Sequence, residues 1–544
     1  MMNALRRTWR RSLGLTCSPL RVVPVLLVAG VLAVPGPGRA QERPVSEVRQ
    51  RIERLRQDGS ISISGVTVHR SSILVELYEG AGFAPIWTGP NAAVDLTEAI
   101  RDAAADGLDP ADYHLAAIEA LGTEAGDAAV GADLDILRSD ALLRLSHDLR
   151  YGKVDQTDPT AGRNLSRPLI ALGGADSLRR IVRSGRVGFA LAELRPSHFV
   201  YRGLTAGLAE LRVVEERGGW ERIPPGPALR VGSVDPRVAV LRGRLVHEGD
   251  FARTFAEDED VFDLNLETAV KSFQHRHGLN EDGVVGPATL AELNVPVGRR
   301  IEQLRVNLER ARWLTPDLPD TFVAVNIAGA KVYLVRDNVV VHEARAVVGQ
   351  TWTRTPVFQA TMRYIDLNPT WTVPPGIVHE ILANVGRDPE YLGRTQMRVI
   401  DRAGRPVQVS AVEISQYSAE GFPYVFRQDP GPANPLGRIK FIFPNSYNVF
   451  LHDTPARYLF EKEQRTFSHG CIRVQDPFRL AELILNQPGR WNRDSLLAAT
   501  GHGTTMTIPL PTPIPVLVLY WTASADLHGE LHSIATSTGG MPPC

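Results

Sequence analysis

The chain has 544 residues, 60 Lys+Arg against 61 Asp+Glu, and is 43% hydrophobic and 22% charged, which suits several ordinary domains and excludes a disordered chain. Its three cysteines are too few for a disulfide scaffold in a chain of this length. The first forty residues carry Arg6, Arg7, Arg10, Arg11, Arg21 and Arg39 and no acid, so the remainder holds 54 basic against 61 acidic residues. That balance sets nucleic acid aside as a partner, because non-specific binding there rests on neutralising phosphates.

The arginine-rich start, the apolar run Val22–Val34 broken only by Pro24 and Gly30, and the ending Gly38-Arg39-Ala40 predict a secretory signal over residues 1–40. A membrane span needs about twenty apolar residues, so the short run favours a signal over an uncleaved anchor. Cys17 precedes the run, which argues against lipidation, and the Arg10-Arg11 pair leaves Sec and twin-arginine export both open. No later stretch is long and apolar enough to span a bilayer; Ile514–Trp521 is only strand-length. The mature protein is expected outside the cytoplasm with Cys471 and Cys544, and a lone internal cysteine there reads as a working thiol.

From 45 to 222 the period is helical, with Leu134, Leu137, Leu142, Leu145 and Leu149 in helical spacing and breaks such as Gly107-Leu108-Asp109-Pro110 between helices. The region reads as an all-helical packing scaffold. After Ile223-Pro224-Pro225-Gly226-Pro227, residues 235–296 predict three short helices marked by Val238/Leu241/Leu245, Leu266/Val270/Phe273 and Leu290/Leu293. Gly278 can end the second and Pro287 suits the first turn of the third. The segment FQHRHGLNEDGVVGPATLAEL, Phe273–Leu293, resembles the three-helix peptidoglycan-binding module of bacterial cell-wall enzymes, which implies either glycan or peptide binding or a spacer role.

A basic amphipathic linker helix is expected within 299–317, stopped by Pro316 and Pro319. The period then falls to two. TFVAVNI, KVYLVRD and VVVHEARAVVG form a meander around Ala328-Gly329-Ala330 and Arg336-Asp337-Asn338, and strand-like runs recur at Met362–Leu367, Ile439–Phe443, Asn448–Leu451, Thr504–Leu510 and Pro515–Thr522. Residues 320–525 therefore read as a mostly β domain, interrupted at about 377–438 by an insertion that is either a lid or a surface excursion. The tail 532–544 is poor in apolar residues and is expected to be loose.

The strongest chemical signal is LHDTPARYLFEKEQRTFSHGCIRV, Leu451–Val474, in which His452 precedes Cys471 by 19 positions. A thiol of pKa about 8.5 is mostly protonated at neutrality and needs an imidazole or a positive field beside it to become a nucleophile. Gly470 lets the backbone approach closely, so amides there can face a tetrahedral oxyanion. Asp476 and Pro477 suit the start of a helix from Phe478 to Asn486. A zinc site is unsupported: no C-x-x-C occurs, and after His379-Glu380 the second zincin histidine is replaced by Ala383. No G-x-S-x-G appears either.

HDT, thirteen residues, SHGC and then IRV resembles the catalytic signature of the L,D-transpeptidases (YkuD-type catalytic domain). QLRVNLERARWL, TPVF, NPTWTVPPGI and GPANPLGRIKFIFPN resemble the large periplasmic branch of that family, so the resemblance runs through nearly the whole chain after the signal. It implies a multidomain α+β protein with a helical scaffold, a three-helix peptidoglycan-binding module and a mostly β catalytic domain bearing a lid. It also implies Cys471 as nucleophile, His452 as general base, Gly470 and Cys471 amides as oxyanion hole, and His469 and Ser468 as its wall. Arg473 suits a stem-peptide carboxylate or an ion pair with a residue such as Asp476, Trp371 and Tyr447 are cleft or core aromatics, and either Asp453 or the backbone beside it orients His452.

The implied reaction joins tetrapeptide stems by 3→3 cross-links with release of D-Ala, without metal or organic cofactor, in the periplasm, and carbapenems are expected to acylate Cys471. Peptidoglycan stem peptides are the expected partners, with an outer-membrane lipoprotein lysine as another acceptor. Phe450 departs from the family's usual Tyr. A carboxypeptidase or amidase on the same thioester, and a non-catalytic wall-binding protein, are the rival readings.

Overall fold

A computed structural model describes residues 37–69, 71–124, 126–154, 172–247, 249–251, 258–314, 318–525 and 530–533. The expected signal sequence up to residue 36, Cys17, Pro316, Cys544 and the tail from residue 534 lie outside the described residues. Among the described residues no helix is long and apolar enough to cross a membrane.

The N-terminal region is built on helices Pro37–Asp58 and Ala128–Tyr151, whose apolar faces bury Ile52 and Leu55 with Leu134, Leu137, Leu145 and Leu149 in one core. It is not all-helical. Ser60–Ile63 and Val66–His69 form an antiparallel hairpin, turned by Ser64 and Gly65 with φ of 47° and 80°. The alternation in SISISGVTVH is a period-two signal that the surrounding helical pattern masked, and positive φ at both turn residues matches the twist of paired strands.

Helices Arg237–His247, Leu264–Arg276 and Pro287–Leu293 enclose Val238, Leu241, Leu245, Leu266, Phe273 and Leu293 in a separate small core. The second starts on Asp263, whose carboxylate accepts from the Leu266 N–H at 2.8 Å.

The next helix, α1 (Val297–Leu314), is a packed spine rather than a spacer. Its Ile301, Leu304 and Leu308 meet Val200, Leu204 and Leu208 of helix Phe199–Glu216, with Ala523 from beyond the large sheet in the same cluster. Asn307 exchanges hydrogen bonds with Thr522 at 2.8 and 3.0 Å, and the Glu309 carboxylate accepts from the Lys153 and Val154 N–H groups at 2.6 and 2.9 Å. One helix therefore bonds to both the N-terminal region and the β domain.

The β domain contains β1 (Phe322–Asn326), β2 (Lys331–Arg336), β3 (Val339–Gly349), β4 (Phe358–Leu367), β5 (Ile439–Ile442), β6 (Leu451–His452), β7 (Thr466–Ser468), β8 (Ile472–Val474) and β9 (Met506–Leu519). They pair in the order β7-β3-β8-β6-β5-β4-β9-β1-β2, and an added β2–β3 pairing closes the sheet on itself. The runs expected as two separate strands near 504–522 are one strand, β9, with a register shift between Pro509 and Ile514 where prolines interrupt the ladder. Helices α2 (Pro477–Leu485) and α3 (Arg493–Thr500) supply Phe478, Leu480, Ile484 and Leu496 to the core shared with Ile365, Phe441 and Leu451.

The insertion has its own core. Strands Trp371–Thr372, Val425–Gln428 and Met397–Ile400 form a three-stranded sheet, and helix Val378–Arg387 packs Ile381, Leu382 and Val385 with Phe426 and Ile414. Past the large sheet, Leu531–Ser533 pairs with Ala523–Ala525, so His532 and Ser533 belong to a strand and not to a loose tail. Leu531 packs so closely on helix Phe199–Glu216 that a Cβ on Gly207 would sit 2.3 Å from it.

Candidate active site

The site is assembled where β5, β6 and β8 lie side by side. Strands β6 and β8 run parallel with Leu451 opposite Ile472 and His452 opposite Arg473, while antiparallel β5 sets Lys440 opposite His452. Since side chains alternate along a strand, Lys440, His452 and Arg473 share one face. Cys471, two residues before Arg473, falls on that face beside Phe450 and His452.

His452 is 4% exposed, and its Nδ1 bonds the carbonyl oxygen of Asp453 at 2.5 Å. A carbonyl only accepts, so Nδ1 carries the proton and Nε2 keeps its lone pair. The Asp453 carboxylate does not orient the ring: it accepts from the Arg438 N–H at 2.9 Å and pairs with Arg457 at 3.3 Å. Burial first, then Arg473 and Lys440, drive the His452 pKa down to about 3, opposed by the Asp453 carbonyl. The imidazole is thus a neutral acceptor across the physiological range.

Cys471 is a half-buried free thiol whose Sγ–H points to the Asn448 carbonyl at 3.8 Å. Burial raises its pKa, opposed by the Phe450 N–H directed at the sulfur and by the charges of Lys440 and Arg473. Asn445 shapes the turn before β6: its side-chain amide donates to the Phe443 and Val449 carbonyls and its oxygen accepts from the Tyr447 and Val449 N–H groups.

Ser468 is buried and fastens the cysteine loop from inside. Its hydroxyl accepts from the Gly470 N–H at 3.1 Å and donates to the Cys471 carbonyl at 2.5 Å. The Gly470 amide is therefore already engaged, contrary to its expected place in an oxyanion hole, whereas the Cys471 N–H has no partner among the described residues. Gly470 itself has φ of 110°, a conformation that L side chains rarely adopt. A second clamp comes from the β3–β4 loop, where Thr355 donates to the Gly470 carbonyl at 2.8 Å and Thr353 to the Ser468 carbonyl at 3.1 Å.

His469 turns the other way, and its Nε2 meets Glu380 of the inserted helix at 2.7 Å. The Arg473 guanidinium has a buried Nε with no hydrogen-bond partner among the described residues, and desolvation lowers its pKa. Asp476 is not its counter-ion, because both Asp476 oxygens accept from Arg493 at 2.7 and 2.8 Å. Asp476 also fails as a side-chain cap: its backbone is left-handed, with φ of 46°, and helix α2 starts on Pro477 and ends before Asn486. Trp371 packs into the core of the insertion, and Tyr447 packs at a tilt on Phe358 at 5.0 Å beside the main core. Neither joins the polar row.

Sequence reasoning missed Lys440, Glu380, Thr353 and Thr355. Lys440 and Thr355 lie inside the quoted segments GPANPLGRIKFIFPN and TPVF, so the signal was present but unassigned. Among the described residues no three His, Cys, Asp or Glu side chains gather where they could hold a metal ion.

Residues 320–510 match the family described as the L,D-transpeptidase catalytic domain. Upstream, residues 72–208 match a scaffold domain and residues 234–293 a "Putative peptidoglycan binding domain". A Haemophilus influenzae protein named "Putative L,D-transpeptidase" is 31% identical over 223 residues, 41% of this chain and 45% of that protein. The chain thus matches less than half the length of that relative. General secretion pathway protein A of Aeromonas hydrophila is 42% identical over 60 residues, 11% of each chain. Among solved structures, the L,D-transpeptidase of Stackebrandtia nassauensis covers 54% of this chain and 94% of its own at 13% identity and a TM-score of 0.23. That of Xylanimonas cellulosilytica, at 16% identity, covers 54% of this chain and 100% of its own with a TM-score of 0.18. At those scores the superpositions add nothing to the assignment, which rests on the domain match and the transpeptidase-type cysteine loop.

Proposed function

We propose that the protein is a cell-envelope L,D-transpeptidase that uses Cys471 as nucleophile and His452 as general base to form 3→3 cross-links between peptidoglycan stems. The observation that carries this reading is the orientation of His452: Nδ1 is tied to the Asp453 carbonyl and Nε2 is left as an acceptor on the face that bears Cys471.

The thiol and the imidazole are both neutral at rest, so the proton moves during attack instead of beforehand. Cys471 Sγ bonds to the carbonyl between the diaminopimelate L-centre and the terminal D-Ala of a tetrapeptide donor, while Nε2 takes the thiol proton. The Cys471 N–H faces the developing oxyanion, His452 returns its proton to the departing D-Ala nitrogen, and a thioester remains. A side-chain amine of a neighbouring stem, or of a lipoprotein lysine, attacks the thioester and restores the free thiol. Arg473, with its buried unpaired Nε, receives a stem carboxylate. The peptidoglycan-binding-like module and the inserted lid hold the polymer, and the location is the periplasm.

Intact-protein mass spectrometry of the full chain and its Cys471→Ala variant, incubated with a carbapenem and separately with a disaccharide-tetrapeptide, tests the reading. An adduct on the parent alone, with a dimeric muropeptide lacking one D-Ala, supports it. Tripeptide without dimer transfers the assignment to a hydrolase on the same cysteine, and no adduct with either reagent removes the nucleophile.

A further inference from the structure

We infer that Lys440 is a positioning residue that acts as the counter-ion of the Cys471 thiolate, the part an imidazolium plays in a preformed Cys–His ion pair. The inference rests on Cys471 being the nucleophile.

Strand register places Lys440 in a polar row across the sheet. Thr507 lies opposite Asp366, Asp366 opposite Lys440, Lys440 opposite His452, and His452 opposite Arg473. Asp366, opposite Lys440, accepts from the Thr507 hydroxyl at 2.6 Å and acts on the ammonium without an ion-pair contact. Lys440 is half-buried and has no carboxylate within ion-pair distance among the described residues. Its ammonium instead sits 4.0 Å from the centre of the Phe450 ring, and that ring is braced by Phe443 at 5.8 Å.

The half-buried ammonium is thus seated on a π-face, with Asp366 acting on it from beyond ion-pair distance. The anion that this neighbourhood can generate is the Cys471 thiolate, and the residue that seats the ammonium also directs its N–H at the sulfur. Phe450 therefore delivers two favourable contacts to one charge: its amide directly, and its ring by fixing Lys440. The other charged groups around the sulfur are consistent with this. Arg473, two residues beyond Cys471 on the same strand, acts on the sulfur alongside Lys440, and the Asp453 carboxylate is engaged by Arg457 and the Arg438 N–H. Burial keeps both groups neutral at rest, and the same two cations that favour thiolate disfavour imidazolium, so His452 cannot itself be the counter-ion.

The test is the pH profile of Cys471 alkylation by iodoacetamide in the full chain, read at that residue by peptide mass spectrometry, for the parent, Lys440→Met and Lys440→Arg. Lys440→Met keeps the length and apolar contact with Phe450 and is expected to raise the inflection by about one pH unit, slowing alkylation near neutrality about ten-fold. Lys440→Arg restores the parent profile, which a packing role would not do. An unchanged inflection in a folded Lys440→Met overturns the inference. If Lys440→Met does not fold, Phe450→Leu takes its place: it unseats the ammonium and raises the inflection in the same direction, and an unmoved profile there overturns the inference equally. The carbapenem experiment fails independently of this one: absence of an adduct removes the nucleophile assignment, while the alkylation profile decides Lys440.

Discussion

His469 Nε2 and Glu380 Oε1 lie 2.7 Å apart, joining the loop that carries Cys471 to the helix of the inserted subdomain. The two side chains are 33% and 42% exposed, so solvent screens the contact and its worth is about 1 kcal/mol at most. Glu380→Ala is expected to leave the melting temperature unchanged and to speed amide hydrogen exchange in helix Val378–Arg387. Acylation by a tetrapeptide donor should slow by no more than about five-fold, in keeping with that energy. A larger loss would mean that Glu380 touches the substrate.

Ser468 is the reverse case, a buried hydroxyl with both capacities used. Ser468→Ala leaves the Gly470 N–H and the Cys471 carbonyl without partners, at a cost of about 1–3 kcal/mol for each group left unsatisfied. The variant is expected to melt several degrees lower and to acylate at least about ten-fold more slowly. Ser468→Thr keeps the hydroxyl and should recover most of the rate, as followed by mass spectrometry of carbapenem uptake.

His452 makes stability depend on pH in a defined direction. Its folded pKa is about 3 against an ordinary value of 6.5, so between these limits the unfolded chain binds a proton that the folded chain refuses. The contribution is complete above the unfolded value and is lost as pH falls toward the folded one, at up to about 1.4 kcal/mol per pH unit. Urea unfolding of the parent and of His452→Gln at several pH values checks this. The variant should show a flatter acid limb, and parallel limbs would refute the assignment.

Arg300 on α1 donates to Glu292 at 2.6 Å, and His277 meets the same carboxylate at 3.0 Å, all three buried. These partners hold the Glu292 pKa below its ordinary value against the opposing effect of burial. Arg300→Met removes the permanent positive charge from a buried carboxylate, leaving His277 beside it, and is expected to cost up to about 3–5 kcal/mol at neutral pH. The depressed pKa means that the pair stabilises above the unfolded carboxylate value, so this penalty should shrink as pH falls below it. Denaturant unfolding at two pH values measures both effects. The double variant Arg300→Met, Glu292→Gln should recover part of the loss.

The change from helical to β pattern, the SHGC motif and the short helical module were legible in the sequence because each depends on local spacing: a helical period, a proline at a first turn, a histidine a fixed distance from SHGC. Local spacing also carried the scaffold hairpin, where SISISGVTVH alternates around a turn, but the longer helical pattern on either side hid it. What only the tertiary structure decided are pairings between residues far apart in the chain. Lys440 faces His452 because β5 and β6 adopt one register, and a shift of one residue would turn its side chain to the other side of the sheet. Asp476 serves Arg493 and not Arg473, and the Gly470 amide is consumed by Ser468, because each donor takes the acceptor that the fold brings to it. His452 is a neutral imidazole with Nε2 as acceptor for the same reason: burial sets its charge and one backbone carbonyl sets its tautomer, and neither can be read from residue order.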